Sequence, residues 1–412
     1  MRWVSRCLLS IAVCGFSFLN LVAQCPKRPD PGTVVRDPFS ISSQNGVLSA
    51  QLVMGRSVDD AGYTHYCYNY KAPSQIVEAP TLRVNPGDQL VLDVVNRIKD
   101  ENPMKMAMPV SPNTCGDGGD MTISSTNVHY HGMNVPPKCH QDDVINTLIQ
   151  PGTPGFKYNI QIQPRQPPGL YWYHAHVHGF TEFQVNGGAA GALVVEGMEK
   201  YRPEVAGLTE RIFIIRQQYL VPWIPGPYQL TLNYQVANYP FPSPVIVMKP
   251  GEKQFWRVAN ATLQDFMPLQ VQVGGQPQPL QLIALDGYPL PQARFQNTIL
   301  VPPAGRAEFI VEAPPAGQTA IFYTDTYSTG PTGNPDLQQR LASILLSNNA
   351  DSSPMPKATE PSPDKFKFSD VAQQPVTATR KLYFSEEFGG TNGPIQFYIT
   401  VYGQQQKVFE PD

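Results

Sequence analysis

The sequence predicts an all-β protein made of tandem β-sandwich or barrel domains, two complete and the start of a third. Three observations predict it. Forty-three prolines and 32 glycines cut the chain into short runs rich in Val, Ile, Leu, Tyr and Phe, with few segments of helical period. The stretch Leu82 to Asn96, LRVNPGDQLVLDVVN, is echoed by Ile246 to Asn260, IVMKPGEKQFWRVAN, at an offset of 164 residues at both ends. Each copy reads as a strand, a Pro-Gly-acid turn and a second strand, so the pair marks homologous β-domains. The length of 412 residues also exceeds one ordinary domain.

The elements follow in order. Met1 to Ala23 carries Arg2 and Arg6, an apolar run from Cys7 to Phe18 and the small Ala23. This is the layout of a secretory signal, and the run is shorter than the roughly 20 residues a membrane span needs. A secreted or periplasmic protein is expected, with lipidation at Cys25 the alternative, although Gln24 suits that poorly. Residues 24–42 form an N-terminal arm, 43–198 the first domain and 209–348 the second. Residues 349–375 turn to Ser, Pro, Asp and Lys and read as a linker. From 376 to 412, Arg380–Phe384 and Gln396–Val401 look like opening strands of a third domain, too short to fold alone. The expectation is a chain cut inside that domain, with a natural truncation as the alternative.

Thirty basic and 33 acidic residues give a formal charge of −3, which gives no reason to expect nucleic acid or an anionic membrane as a partner. Oligomeric state is not legible. Once the signal is removed, Cys25, Cys67, Cys115 and Cys139 remain. They allow three disulfide connectivities. Cys115 with Cys139, which bracket a histidine strand, is the preferred pair, and Cys25 with Cys67 would then tie down the arm.

The chemistry is concentrated in two His-x-His pairs, His129-Tyr130-His131-Gly132 and His174-Ala175-His176, with no histidine after His178. Residues i and i+2 of a strand share a face about 6.6 Å apart, so each pair offers two imidazoles to one point. Imidazoles without a paired carboxylate or thiolate favour copper over magnesium or calcium. Met104, Met106 and Met108 alternate and offer soft thioethers, though a loop or strand edge also explains them. His65 and His140 have no paired histidine and read as surface groups or groups behind the ligands.

These residues resemble the multicopper oxidases, laccase-like enzymes built from Greek-key cupredoxin domains. The resemblance rests on Asn127 to Gly132 (NVHYHG), Gly169 to His176 (GLYWYHAH) and Gly188 to Glu196 (GAAGALVVE), and continues through Thr231-Leu232-Asn233 and Leu285-Asp286-Gly287. It implies one-electron oxidation of a phenolic, amine or metal-ion substrate at a type 1 copper. Oxygen is reduced to water at a trinuclear cluster held by eight histidines from the first and last domains. By position, His129 would be a type 2 ligand, and His131, His174 and His176 type 3 ligands. His178 continues the same period but would sit behind the ligands, as the motif uses only two of the three. Asp142, with Asp143 as alternate, stands where the family tends to keep an acid near the type 2 copper, a candidate proton relay. The last-domain motifs and the type 1 cysteine are missing, so the chain alone is expected to be inactive as an oxidase. A secreted copper-sequestering protein is the alternative function, and a metal-free scaffold a weaker one.

Overall fold

The computed structural model describes residues 23–100, 102–105, 115–219, 228–237, 240–330, 335–350, 374–388 and 395–405. The expected signal segment, Met106, Met108 and most of the expected linker lie outside these residues. Two compact units result, residues 1–364 and 365–412.

The larger unit contains two β-sandwiches. In the first, one sheet runs in spatial order Ser40–Ser42, Thr81–Val84, Ala190–Val195, Gly169–His174 and His129–His131. Facing it is Phe156–Gln161, Gln89–Asn96, Val47–Val58, Thr64–Lys71 and Ile76–Glu78. The strand FKYNIQ shows the governing period, with Phe156, Tyr158 and Ile160 buried and Lys157, Asn159 and Gln161 exposed. The inner faces enclose one core that includes Leu52, Tyr68, Leu92, Tyr130, Tyr173 and Leu193. The second sandwich pairs a seven-stranded sheet, containing Thr209–Tyr219, Lys253–Asn260 and Arg306–Glu312, with a six-stranded one containing Met267–Val273 and Ala320–Thr324. Its core gathers around Trp256, Phe213, Phe309 and Phe322.

The internal echo holds at the level of hydrogen bonds. Asp88 accepts from Asn85 N–H at 2.7 Å and Glu252 from Lys249 N–H at 2.6 Å, closing the two Pro-Gly turns alike. The terminal asparagines also match: Asn96 Oδ1 and Asn260 Oδ1 each accept the N–H two residues on, from Ile98 and Thr262, at 3.1 Å. The turns are not hairpins, however. In each copy the strand before the turn lies in one sheet and the strand after it in the opposite sheet, so the turn arches over the core. Turn chemistry alone does not separate an arch from a hairpin.

Two strands of the first sandwich are buried on both faces, Gly169–His174 and Ala190–Val195, and both read as near-continuous apolar runs. Their outer faces meet the second sandwich: Leu170, Trp172, Ala190, Ala192 and Val194 pack with Ile212, Ile214, Ala259 and Ala261. Each fully buried Leu or Ile contributes roughly 1.5–3 kcal/mol. A charge ladder runs alongside. Glu196 and Glu210 both pair with Arg83, and Glu210 and Glu308 both pair with Arg257. Arg257 and Glu308 are fully buried.

Cys25 bonds Cys67 and Cys115 bonds Cys139, with Cα separations of 5.6 and 5.5 Å. A sulfur committed to a disulfide cannot carry a lipid thioether, which removes lipidation at Cys25 in this state. Among the described residues no helix is long and apolar enough to cross a membrane. In the smaller unit, Leu382–Phe388 pairs antiparallel with Ile395–Val401, and Leu382, Phe384 and Ile399 are exposed.

Candidate metal centre

The sheet register brings the two histidine pairs together. His129–His131 runs antiparallel to Gly169–His174, with His129 opposite His174 and His131 opposite Trp172. Alternation turns Tyr130 and Tyr173 into the core and leaves His129, His131 and His174 on the opposite face. Ring centroids of His129 lie 5.4, 5.2 and 5.2 Å from those of His131, His174 and His176. One ligand atom each from His129, His131 and His174 falls within 4.8 Å of the others. Nδ1 of His131 and Nε2 of His174 approach to 3.4 Å.

Three of the rings are oriented by named partners. Asp142 Oδ1 accepts from His129 Nδ1–H and from the Tyr130 N–H, both at 3.0 Å. His174 Nδ1–H donates to the Ala175 carbonyl at 2.9 Å. In both rings Nε2 is thereby left unprotonated, the donor form a metal requires. The Trp172 ring stacks on His131 at 4.9 Å and on His174 at 4.2 Å. Burial, reinforced by Arg306, pushes His131 down to about 3. Burial likewise drives His174 well below the ordinary imidazole value and lowers His176. Neutral imidazoles are the ligand form, so donor type, spacing and protonation all fit a copper site.

The other sequence candidates separate. The strand ends at His174, so the period-two extension stops there; His176 still joins the cluster, while His178 is exposed beyond it. Asp143 turns away and accepts from Asn146 Nδ2 at 3.0 Å, closing its own loop. Met104 is exposed. His140 is exposed with Nδ1–H donating to the Lys157 carbonyl at 2.8 Å. His65 departs from the surface reading: it is buried, with Nε2 3.3 Å from Asp59 Oδ2, and burial plus Arg28 push it down to about 3.

Three supports were not assigned from sequence. Asn127 staples the two motifs: its Oδ1 accepts the His176 N–H at 2.7 Å and its Nδ2 donates to the Val144 carbonyl at 3.0 Å. Its place two residues before His129 was the only signal. Arg306, from the second sandwich, donates to the Leu170 and Asp286 carbonyls at 3.3 and 2.8 Å. Gly132 has φ +80°, which favours glycine, and a Cβ there would lie 2.3 Å from Nη2 of Arg306 and displace that hydrogen-bonded guanidinium. Tyr171 donates its hydroxyl to the Gly287 carbonyl at 2.9 Å, bringing the Leu285-Asp286-Gly287 turn against the histidine strand.

Residues 121–200, which include both His-x-His pairs, match the family profile for multicopper oxidases. The iron transport multicopper oxidase FET3 of Gibberella zeae is 28% identical over 134 residues, 31% of this chain and 17% of that protein. Among solved structures, the 2F4 variant of the McoA multicopper oxidase from Aquifex aeolicus has a TM-score of 0.59 at 16% identity. That match covers 81% of this chain and 69% of the other. A multicopper oxidase from Campylobacter jejuni, described as a metallo-oxidase, gives 0.55 at 21% identity and covers 82% and 66%. The sequence match thus spans a small part of the fungal relative, and the structural likeness extends over both sandwiches.

Proposed function

This chain is a relative of the multicopper oxidases, and on that premise we propose that it serves in copper-dependent oxidation of a phenolic, amine or metal-ion substrate with reduction of O2 to water. The observation that carries the proposal is the convergence of four imidazoles at one edge of the seam between the sandwiches, with the Nε2 atoms of His129 and His174 released by Asp142 and the Ala175 carbonyl. His129 is assigned to a type 2 position, and His131, His174 and His176 to type 3 positions. Bound copper supplies the one-electron redox chemistry. The chain's own residues do the rest: Asp142 fixes the His129 tautomer and is the carboxylate assigned to hold or move protons at the rim. Trp172 and Asn127 hold the rings and the motif backbones in place. The two disulfides and the N-terminal layout support export.

A second reading has its own observation. All four described cysteines are in disulfides, so the described residues offer no thiolate for a type 1 site. Among the described residues the remaining cluster ligands and that site are not found. Copper binding without turnover is then the activity of the chain by itself. Copper content and oxygen uptake of the purified full chain, measured together with a phenolic reductant, separate the two. Stoichiometric copper with oxygen uptake supports the oxidase, and stoichiometric copper without uptake supports the binding protein. Absence of copper defeats both.

A further inference from the structure

We propose that the second sandwich holds a calcium site, independent of the histidine centre, where the loop before Met267–Val273 meets the loop after Ala320–Thr324. A cavity of about 10 Å³ lies there, lined on its polar side by Asp265, Thr324, Asp336 and Gln339 and closed by Leu230, Phe266, Met267 and Leu337, room for a single ion or water. Its donors are all oxygens. Asp265 is buried at 9% exposure and uses Oδ1 to accept from Gln217 Nε2 at 3.2 Å. Asp336 uses Oδ2 to accept the Phe266 N–H at 2.8 Å. Phe266 stacks on Tyr327 at 4.8 Å, so the two acid-bearing loops are pinned to each other.

The independent observation is a buried hydroxyl in this lining with nothing to bond. Thr324 is 4% exposed and lines the cavity, and its Oγ1 has no hydrogen-bond partner. Gln217 is 1% exposed, its amide nitrogen is held by Asp265, and its Oε1 is also unpartnered. Buried acceptors of this kind are rarely left unmade. Burial, then the charge of Asp336, push Asp265 up to about 6, against the opposing hydrogen bond from Gln217. The carboxylates of Asp265 and Asp336, the Thr324 hydroxyl and the Gln339 side-chain amide, which line this one space, are a donor set for Ca²⁺. Mg²⁺ asks for strict octahedral geometry and keeps its waters, while copper favours imidazole or thiolate.

The test uses the full chain, stripped with chelator and free of copper, at pH 7.5. Calorimetric titration with CaCl2 is expected to give one ion per chain, and saturating Ca²⁺ to raise the thermal midpoint by about 5 °C. Asp265→Asn and Asp336→Asn are each expected to abolish the calcium response. In chelator Asp265→Asn is expected to melt above the parent, which shows that the variant folds. Thr324→Val should weaken binding at least about tenfold, the loss of one donor. The proposal is overturned if the parent does not bind Ca²⁺ or if both Asp variants respond as the parent does. Equal shifts from Mg²⁺ or Na⁺ at the same concentration also overturn it. Stabilisation by Asp265→Asn with no calcium binding by the parent would identify a hydrated acid pair and likewise end it.

Discussion

Glu308 is the residue whose removal tests most directly whether the second sandwich supports the histidine strand. It is fully buried, accepts the Leu170 N–H at 2.8 Å through Oε1 and pairs with Arg257 through Oε2. Burial raises its carboxyl above the ordinary range, whereas at Glu210 the same burial is outweighed by two guanidiniums, Arg257 and Arg83. Glu308→Ala strands one buried N–H, costing about 1–3 kcal/mol. It also takes one carboxylate from Arg257, where breaking a buried pair costs about 3–5 kcal/mol. Because Arg257 keeps Glu210, and the two losses share a site, the sum should fall near 4 kcal/mol rather than at the combined maximum. Glu308→Gln keeps an acceptor for Leu170 and should cost about half as much. Urea denaturation of both variants reads these values, and equilibrium dialysis reads copper affinity, which should fall in Glu308→Ala. A loss below about 1 kcal/mol for Glu308→Ala, or equal losses for the two variants, would refute the reasoning.

Metal analysis after dialysis should show copper lost in His129→Ala and His174→Ala and retained in His178→Ala, and retention in all three would remove the site. Asp142→Asn should weaken copper binding about 10- to 100-fold while Asp143→Asn leaves it unchanged, as measured by competition with a chelator of known affinity. Asp265 is held above its ordinary carboxyl value, at about 6, so the folded state keeps a proton that the unfolded chain releases. Its contribution is therefore fully favourable below about pH 4 and declines as pH rises towards 6, by up to about 3 kcal/mol. Carboxyls such as Asp88 are shifted downward and act in the opposite sense, so the readout is the difference between parent and Asp265→Asn in chelator. A difference that stays constant from pH 4 to 6 would contradict the assignment. Gly132→Ala should destabilise by about 2–4 kcal/mol through its left-handed φ and the Arg306 contact, a loss thermal unfolding would register.

The parts of this architecture that were readable obey simple periods. His129, His131 and His174 share a face because strands alternate, and the repeated Asn96 and Asn260 occupy equivalent ends because their turns are alike. The period failed beyond His174, where the backbone leaves the strand; His176 reaches the cluster through Asn127, a long-range bond no local pattern encodes. Whether the Pro-Gly turns close hairpins or arches was not legible for a related reason, since the sheet a strand joins is decided by partners far along the chain. His65 looked like a surface group because burial of an isolated polar residue depends on its neighbours across the sheet. Asp142 was named before Asp143 on position alone, and it is the direction of the loop that sets Asp142 beside His129. Arg306 lay in a stretch with no histidines, and its role exists only through contact between the sandwiches.

The doubly buried histidine strand also has a bearing on the order of events during synthesis. Both His-x-His pairs leave the ribosome long before Ile212, Ile214, Arg257, Arg306 and Glu308. Until those residues arrive, Leu170 has no acceptor for its N–H, and Leu170 and Trp172 stay wet on their outer side. The ligands are thus made early, while the residues that support them from the second sandwich are made late. A nascent chain presents loose histidines instead of a finished trap for copper.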